Sequence, residues 1–190
     1  MRDTARRDEL AEAATDYALA HGLIGLSLRP LAAELGTSDR MLLYHFAGKD
    51  DLIATVLRTS NDRSIAAIRS LPPARDVRKA ALDLWQAMTS DPLDRCQRMY
   101  VEAAALGLLG REPYLSVVSE ANERWVRALA DHLAASGATS RRARRAADLL
   151  DATFMGLQLD LPMDRTDPSI RRVVRDVADA VGMVAGQGRA

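Results

Sequence analysis

The sequence predicts an all-α protein of about nine helices, in which a small N-terminal domain of three helices precedes a larger helical bundle. Apolar residues recur every three or four positions along most of the 190 residues, which is the period of a helix with one buried face. Glycine, proline and capping residues interrupt this pattern at intervals typical of helix ends. No stretch of the sequence alternates as a strand does, and no segment repeats, so a bundle is the expected architecture.

The first three helices precede residue 49. The first carries an apolar face and ends at Gly22. Ser27 can cap the second, whose first turn contains a proline where a missing N–H costs little, and Gly36 ends it. Thr37 or Ser38 can cap the third. The second and third helices are therefore short, and a turn of very few residues joins them.

A longer fourth helix follows Gly48 and is predicted to reach about Leu71. Its middle, residues 59–64, is polar on most sides, which suits a bridge between two bodies better than a core. Pro72-Pro73 is the clearest break in the chain. We expect an N-terminal domain over residues 1–49 and a helical domain over residues 50–190.

Five further helices are predicted in the second domain, each with one apolar face. The last has the clearest stripe, which consists mainly of valines between residues 173 and 184. Asp91-Pro92 is predicted to be the cap and first residue of the second of these helices. The next three are predicted to begin at Glu112-Pro113, Ser140 and Asp167-Pro168.

Composition indicates a globular protein of a reducing compartment. Apolar residues make up 48% and charged residues 27%, enough for a folded core. No apolar run approaches the length of a membrane span, and the N-terminus lacks a signal-peptide core. The single cysteine, Cys96, has no partner within the chain for a disulfide. We expect a cytoplasmic protein that does not bind membranes.

The sequence does not favour an enzyme. It contains no HExxH, paired CxxC, P-loop or dinucleotide-binding glycine pattern. The three histidines, His21, His45 and His132, are too scattered along the chain to suggest a metal site. We therefore expect no catalytic residues, no metal and no cofactor.

Charge alone does not indicate a nucleic-acid partner. The net charge is zero, and the first fifty residues hold six basic and eight acidic residues. A DNA-binding function must therefore depend on where the charges lie.

The segment from Ser27 to Leu52 nevertheless has the pattern of a helix-turn-helix. Two short helices are joined by Gly36-Thr37-Ser38, and a turn of this kind sets its helices at a steep angle. The first helix can then brace against the DNA backbone while the second, Ser38 to His45, enters the major groove.

The N-terminal segment resembles the TetR family of transcriptional regulators over about 45 residues. Order, spacing and residue type agree through the following stretches: Arg7 to Ala14, Gly22, Ser27 to Ala32, Gly36 to Ser38, Tyr44 to Phe46 and Lys49 to Leu52. The resemblance implies a homodimeric repressor that binds a palindromic double-stranded DNA operator and is released by a small-molecule effector. The rest of the chain agrees only in the number and order of helices.

Several residues of the third helix are candidates for contacts with DNA. Arg40 can read a guanine edge or contact phosphate, and Met41 can touch a thymine methyl or simply pack. Thr37 and Ser38 lie at a helix N-terminus, where hydroxyl and N–H groups suit phosphate, although both can equally be caps. Asp39 can accept from a cytosine amino group, orient the arginine beside it or weaken binding.

Three further candidates follow from the resemblance. Tyr44 and His45 match the family's aromatic–histidine pair, which contacts backbone or bases, and Lys49 matches its phosphate-binding lysine. Leu43 departs from the family's usual tyrosine, which implies that one phosphate contact is missing. Arg6 and Arg7 could reach phosphates or the minor groove from an N-terminal arm.

Bulky or adaptable side chains of the second domain are the candidates for an effector pocket, although each is singly more often a core residue. They are Trp85, Met88, Met99, Tyr100, Trp125, Phe154 and Met155. Because few charged residues lie on inner faces, we expect an apolar or weakly polar effector.

The last two helices are the candidates for a dimer interface, since the resemblance implies that they pair with their copies as a four-helix bundle. The residues concerned are Leu150, Phe154, Leu157, Val173, Val174, Val177 and Val181. Part of this set could instead be the core of the single chain. An alternative function is a TetR-like helical dimer that binds small molecules or proteins without binding DNA, which the acidic surplus of the first fifty residues would suit.

Overall fold

The computed structural model describes residues 2–160 and 167–186, and within these ranges the chain forms nine α-helices. They are α1 (Arg2–His21), α2 (Leu28–Glu34), α3 (Asp39–His45), α4 (Lys49–Ser70), α5 (Val77–Met88), α6 (Leu93–Leu108), α7 (Tyr114–Ala135), α8 (Ser140–Asp160) and α9 (Pro168–Val184). The predicted all-α class with an N-terminal helix-turn-helix is confirmed.

Most of the predicted helix boundaries agree with the structure, but two starts differ. Asp91-Pro92 does not form the cap and first residue of a helix, since α6 begins one residue later and Pro92 itself occupies the N-cap position. Similarly, α7 begins at Tyr114, just after the predicted Glu112-Pro113. At α9 the prediction is correct, because the Asp167 carboxylate accepts a hydrogen bond of 2.7 Å from the Ser169 N–H.

The chain consists of two compact units. Unit 1 comprises Met1–Ser64 and Pro92–Asn122, and unit 2 comprises Ile65–Asp91 and Glu123–Ala190. Helices α4 and α7 contribute residues to both. Unit 1 therefore contains α1 to α3 together with α6. This division into compact units differs from the predicted domain boundary after residue 49. That boundary separates functional domains and stays a prediction.

Unit 1 is built around one apolar core to which α6 and α7 contribute. Leu31, Leu42 and Phe46 of the helix-turn-helix segment are almost fully buried there. Met99 and Ala103 of α6 belong to the same cluster. The core between the N-terminal helices is therefore continuous with residues of α6 and α7.

The polar middle of α4 is held by contacts within unit 1. Asn61 donates to the Ala121 carbonyl oxygen at 3.4 Å, and Arg63 is paired with Glu12 and Asp16 of α1. The buried Ser64 hydroxyl donates to a carbonyl oxygen one turn earlier in its own helix. The polar character of this segment therefore reflects partners on α1 and α7 of the same unit.

Unit 2 has its core between α5, α8 and α9. The faces predicted from periodicity are buried, with Leu84, Leu150, Phe154 and Val181 fully enclosed. Helix α9 packs against both α5 and α8. Among the described helices, none is long and apolar enough to cross a membrane.

Candidate DNA-binding site

The turn between α2 and α3 is built from local hydrogen bonds and one glycine. Gly36 has a φ of 63°, which glycine adopts without the strain that a side chain would add. The Gly36 and Thr37 N–H groups donate to carbonyl oxygens of the last turn of α2, at 3.2 and 2.9 Å. The Ser38 hydroxyl then caps α3 by accepting from the Met41 N–H at 3.3 Å. These bonds end one helix and start the next within a few residues.

Helix α3 has one buried and one exposed face. Leu42 and the following Phe46 are each 1% exposed and anchor the helix in the core of unit 1. The opposite face carries most of the predicted DNA-contacting side chains, all exposed: Ser38, Asp39, Arg40, Met41 and Tyr44. Leu43, which departs from the family pattern, is also exposed at 46%.

The remaining predicted contacts flank this face. Thr37 and His45 are half-buried at the two ends of α3, and Lys49 is exposed at the first residue of α4. The rings of Tyr44 and His45 meet edge to face, with centroids 5.1 Å apart. The structure therefore brings all eight predicted residues to one continuous segment of unit 1.

Arg7 fixes the position of this segment from behind. Its Nε–H donates to the His45 carbonyl oxygen at 3.1 Å, where α3 ends, and its Nη2 lies 3.3 Å from both Asp51 Oδ2 and Thr55 Oγ1 of α4. The guanidinium also lies 5.0 Å from the centre of the Phe46 ring, within the range of a cation–π contact. The suggestion that Arg7 reaches DNA from an N-terminal arm is therefore wrong, because its charge is engaged inside unit 1.

Asp51 completes the same brace. Its Oδ2 also accepts from the Ala47 N–H at 3.0 Å, in the loop between α3 and α4. The Asp51 carboxylate thus binds the loop that follows α3, and it also binds Arg7, which in turn bonds the end of α3. In the sequence, nothing distinguishes Asp51 from the adjacent Asp50 at the start of the fourth helix.

Glu102 of α6 is a second functional candidate that the sequence does not reveal. Its Oε2 accepts from the Leu23 and Ile24 N–H groups at 2.7 and 2.9 Å, and so fixes the loop between α1 and α2. A Cβ atom at Gly22 would lie 2.9 Å from the same carboxylate, and the φ of 84° at this position is one that glycine adopts without strain. Helix α6 is thereby tied by a charge-assisted pair of hydrogen bonds to the loop before the helix-turn-helix.

Charge pairing leaves the exposed face of α3 and its flank with unpaired basic groups. Within the described part of the chain, Arg6 is paired with Glu9, whereas Arg40 and Lys49 have no ion-pair partner. The acidic surplus of the first fifty residues is thus partly neutralised away from this face, where Glu12 and Asp16 bind Arg63. Unpaired cations beside a protruding helix are suited to phosphate and base contacts.

The predicted effector residues fall into two groups. Met99 and Tyr100 lie in unit 1, where Met99 is a core residue that also borders an open cleft of about 500 Å³ beside Glu102. The other five lie in unit 2, where Trp85 and Phe154 meet edge to face at 4.8 Å. Met88, Trp125 and Met155 belong to the same unit.

The predicted dimer residues lie mainly in the core of unit 2. Leu150, Phe154, Leu157, Val174, Val177 and Val181 are all buried within the single chain, and Val173 is half-buried. The stripe is apolar because α9 packs on α5 and α8 of its own chain. A surface for a second copy therefore needs other residues of these helices.

The comparisons with known proteins agree with this geometry. The family described as "Bacterial regulatory proteins, tetR family" matches residues 10–56, which include the whole helix-turn-helix. A transcriptional regulator from Rhodococcus sp. Rha1 has a similar structure, with 25% identity over 95% of this chain and 96% of that chain and a TM-score of 0.72.

The chain belongs to the TetR family of transcriptional regulators.

Other structures agree with this assignment. A Rhodococcus protein assigned to the TetR family is 22% identical over 96% of this chain and the whole of that one, with a TM-score of 0.74, and shows the same fold. The multidrug binding protein EbrR, in complex with proflavin, is 25% identical over 93% of this chain and 99% of that one, with a TM-score of 0.66. The curated proteins give no match. As a TetR-family regulator, the chain binds DNA through its helix-turn-helix and is not an enzyme.

Replacing Arg7 tests the brace behind α3. We expect Arg7→Ala to lower the free energy of unfolding by about 1–2 kcal/mol, because it removes bonds to a carbonyl oxygen, a carboxylate and a hydroxyl. Chemical denaturation followed by circular dichroism measures this change. DNA affinity should also fall under conditions where the variant remains fully folded.

Arg6→Ala is the matched control on the same helix. Arg6 forms only an exposed pair with Glu9, so its loss should change stability by less than about 0.5 kcal/mol. Equal effects of the two substitutions would show that the contacts of Arg7 do not support α3.

Proposed function

We propose that this TetR-family regulator is a homodimeric repressor that binds a palindromic operator and is released by a small-molecule effector. The observation that supports it best is the exposed face of α3, which stands on Leu42 and Phe46 and is held by Arg7. A helix fixed in this way can enter a major groove without losing its orientation. A symmetric pair would place two such helices on the two half-sites of a palindrome.

We propose that residues of α3 divide between base and phosphate contacts. Arg40 is exposed and unpaired, so its planar guanidinium is available for a guanine edge. Met41 and Leu43 offer apolar contact to thymine methyl groups or sugars. Asp39 stands beside Arg40 and restricts which bases the segment accepts.

The phosphate contacts would come from the two ends of the motif. Thr37 and Ser38 offer hydroxyl and N–H groups at the start of α3, and Lys49 offers an unpaired ammonium at the start of α4. Tyr44 and His45 lie between these ends and can contact backbone or bases. Contacts on both sides of a groove would fix the register of α3 on the duplex.

We propose that the outer faces of α8 and α9 form the dimer interface. Leu149, Leu159 and Met183 are exposed apolar side chains of these helices. Gly156 is exposed on α8, and a side chain built there meets no atom within 4 Å, so the helix surface at this point is bare. Small and apolar exposed residues allow two helices to approach closely, and a second copy would cover them.

The effector would bind in unit 2, among the aromatic residues that line α5, α7 and α8. Trp85 and Phe154 already meet there, and Met155 can adapt its shape to a ligand. EbrR, which shares this fold, was solved with proflavin and with ethidium. We therefore propose a largely apolar small molecule with an aromatic or bulky body.

Arg40→Ala tests base reading. Against DNA fragments selected from genomic DNA by the unaltered protein, we expect this variant to lose about 1–3 kcal/mol of discrimination at one base pair of each half-site. Binding to a panel of single-base operator variants measures this quantity. An unchanged preference at every position would exclude Arg40 as a reader.

Lys49→Ala tests phosphate binding. We expect affinity to fall on all sequences alike and the slope of log K against log salt to flatten by about 0.9 per lost contact in each protomer. Titrations at several salt concentrations give the slope, with Lys79→Ala in unit 2 as the control. Absence of salt-dependent DNA binding by the unaltered protein would favour the alternative module that does not bind DNA.

Gly156→Glu tests the dimer interface. The side chain has room in the single chain, and glutamate favours a helix more than glycine does, so the variant should fold normally. In sedimentation velocity we expect it to be monomeric, because a charge would then lie at the centre of the interface.

Gly156→Ala is the control for this position, since it keeps the residue small and should remain dimeric. A dimer that persists in Gly156→Glu would place the interface on another surface of the protein.

A further inference from the structure

One carboxylate in unit 2 is largely shielded from solvent without a compensating charge. Asp151 of α8 accepts a hydrogen bond of 2.9 Å from the indole Nε1–H of Trp125. It forms no ion pair among the residues that the structure describes. Desolvation raises the pKa of Asp151 above its ordinary value, the hydrogen bond from Trp125 offsets part of this rise, and the neighbouring Asp148 adds to it. The Asp151 carboxylate is therefore shielded without a cation beside it in the described part of the chain.

The neighbours of Asp151 on α8 are aromatic, flexible and polar. Phe154, Met155 and Gln158 follow it at spacings of three, four and seven, which place them on the same side of the helix. Phe154 contacts the ring of Trp85 from α5, at a centroid distance of 4.8 Å and an interplanar angle of 62°. Asp151 is thus connected to both tryptophans of the chain, one directly and one through Phe154.

Gln158 supplies an unsatisfied acceptor on this side of α8. Its Oε1 is buried and has no hydrogen-bond partner among the described residues. A buried acceptor without a partner costs stability, and native proteins contain few of them. Gln158 thus offers an unused acceptor on the side of α8 that carries Asp151, whose carboxylate is bonded to the Trp125 indole and has no ion-pair partner among the described residues.

A purely structural function does not explain the charge of Asp151. The indole of Trp125 needs only one acceptor, and the amide oxygen of an asparagine would provide it without burying a carboxylate. A shielded, unpaired carboxylate lowers stability. A residue that costs stability in this way is typical of a site that binds a ligand.

We propose that the effector of this regulator is an organic cation with an apolar body, bound in unit 2 with its positive charge against Asp151. The faces of Trp85, Trp125 and Phe154 attract a cation through their π-electrons, and the Gln158 oxygen adds a second negative dipole. This inference rests on the proposed small-molecule regulation, and it adds a charge to an effector that the sequence alone predicts as apolar.

The two tryptophans make the site directly observable. They are the only tryptophans in the chain, so intrinsic fluorescence reports on this cluster alone. We would titrate the full-length protein with tetraphenylphosphonium, with the smaller cation benzyltrimethylammonium and with neutral triphenylphosphine oxide. We expect saturable quenching by a cation and about tenfold or more weaker binding of the neutral compound.

Asp151→Asn separates charge from structure. The variant keeps an oxygen that can accept from Trp125, so it should fold, and its thermal midpoint should rise because a buried charge is removed. We expect its dissociation constant for the cation to increase about tenfold or more, whereas its affinity for the neutral compound should not change. Asp176→Asn, on the exposed surface of α9, makes the same change in charge and should alter cation binding by less than about twofold.

Three outcomes would overturn the proposal: saturable quenching by neither cation, equal cation affinity of Asp151→Asn and the unaltered protein, or equal affinity of the unaltered protein for charged and neutral compounds. DNA binding is measured separately on selected genomic fragments. DNA release by neutral compounds alone would overturn the cation site and leave the repressor function intact. Cation binding that depends on Asp151, in a protein that does not bind DNA, would support the cation site and overturn the repressor function.

Discussion

The hydrogen bonds of Arg7 fix the orientation of α3, and the proposed DNA contacts of this regulator depend on that orientation. A seven-residue helix has little stability of its own, because its few backbone hydrogen bonds barely offset the entropy lost in ordering the first turn. The apolar anchors Leu42 and Phe46 fix its depth, but apolar contacts have no direction. The guanidinium supplies the direction, since it bonds the carbonyl oxygen at the end of α3 and the Asp51 carboxylate of α4 at the same time. The orientation of α3 therefore depends on a residue outside its exposed face.

The same unit contains a direct connection between α6 and the helix-turn-helix. Glu102 bonds two N–H groups of the loop between α1 and α2, and its helix α6 also contributes Met99 to the core around α3. A displacement of α6 would therefore have to move the loop, break two charge-assisted bonds or disturb a close-packed core. Each of these is costly, so the contacts hold α6 and the loop before the helix-turn-helix together within unit 1. Arg7 likewise ties the end of α3 to α4.

The sequence predicts the parts of this structure that local chemistry determines. The glycine turn, the Ser38 cap and the buried position of Leu42 depend on residues a few positions apart, and all three follow from periodicity and capping. Arg7 and Glu102 act across 38 and 79 positions of sequence, and nothing in their surroundings distinguishes them from surface charges. Apolar stripes are ambiguous for a related reason, because periodicity identifies a buried face without specifying whether the same chain or another copy covers it. The resemblance assigns the valines of α9 to a dimer, whereas the structure buries most of them against α5 and α8 of the same chain.

Charge explains how a chain of zero net charge can serve two opposite electrostatic tasks. In unit 1, acidic residues are paired with Arg7 and Arg63 behind the reading face, which leaves Arg40 exposed and uncompensated towards DNA. In unit 2 the imbalance has the other sign, because Asp151 is shielded from solvent and lacks a cation. In the net charge of the chain, which is zero, these two local imbalances cancel, so the composition reveals neither of them. Local pairing, rather than total charge, decides which surface attracts a polyanion and which interior attracts a cation.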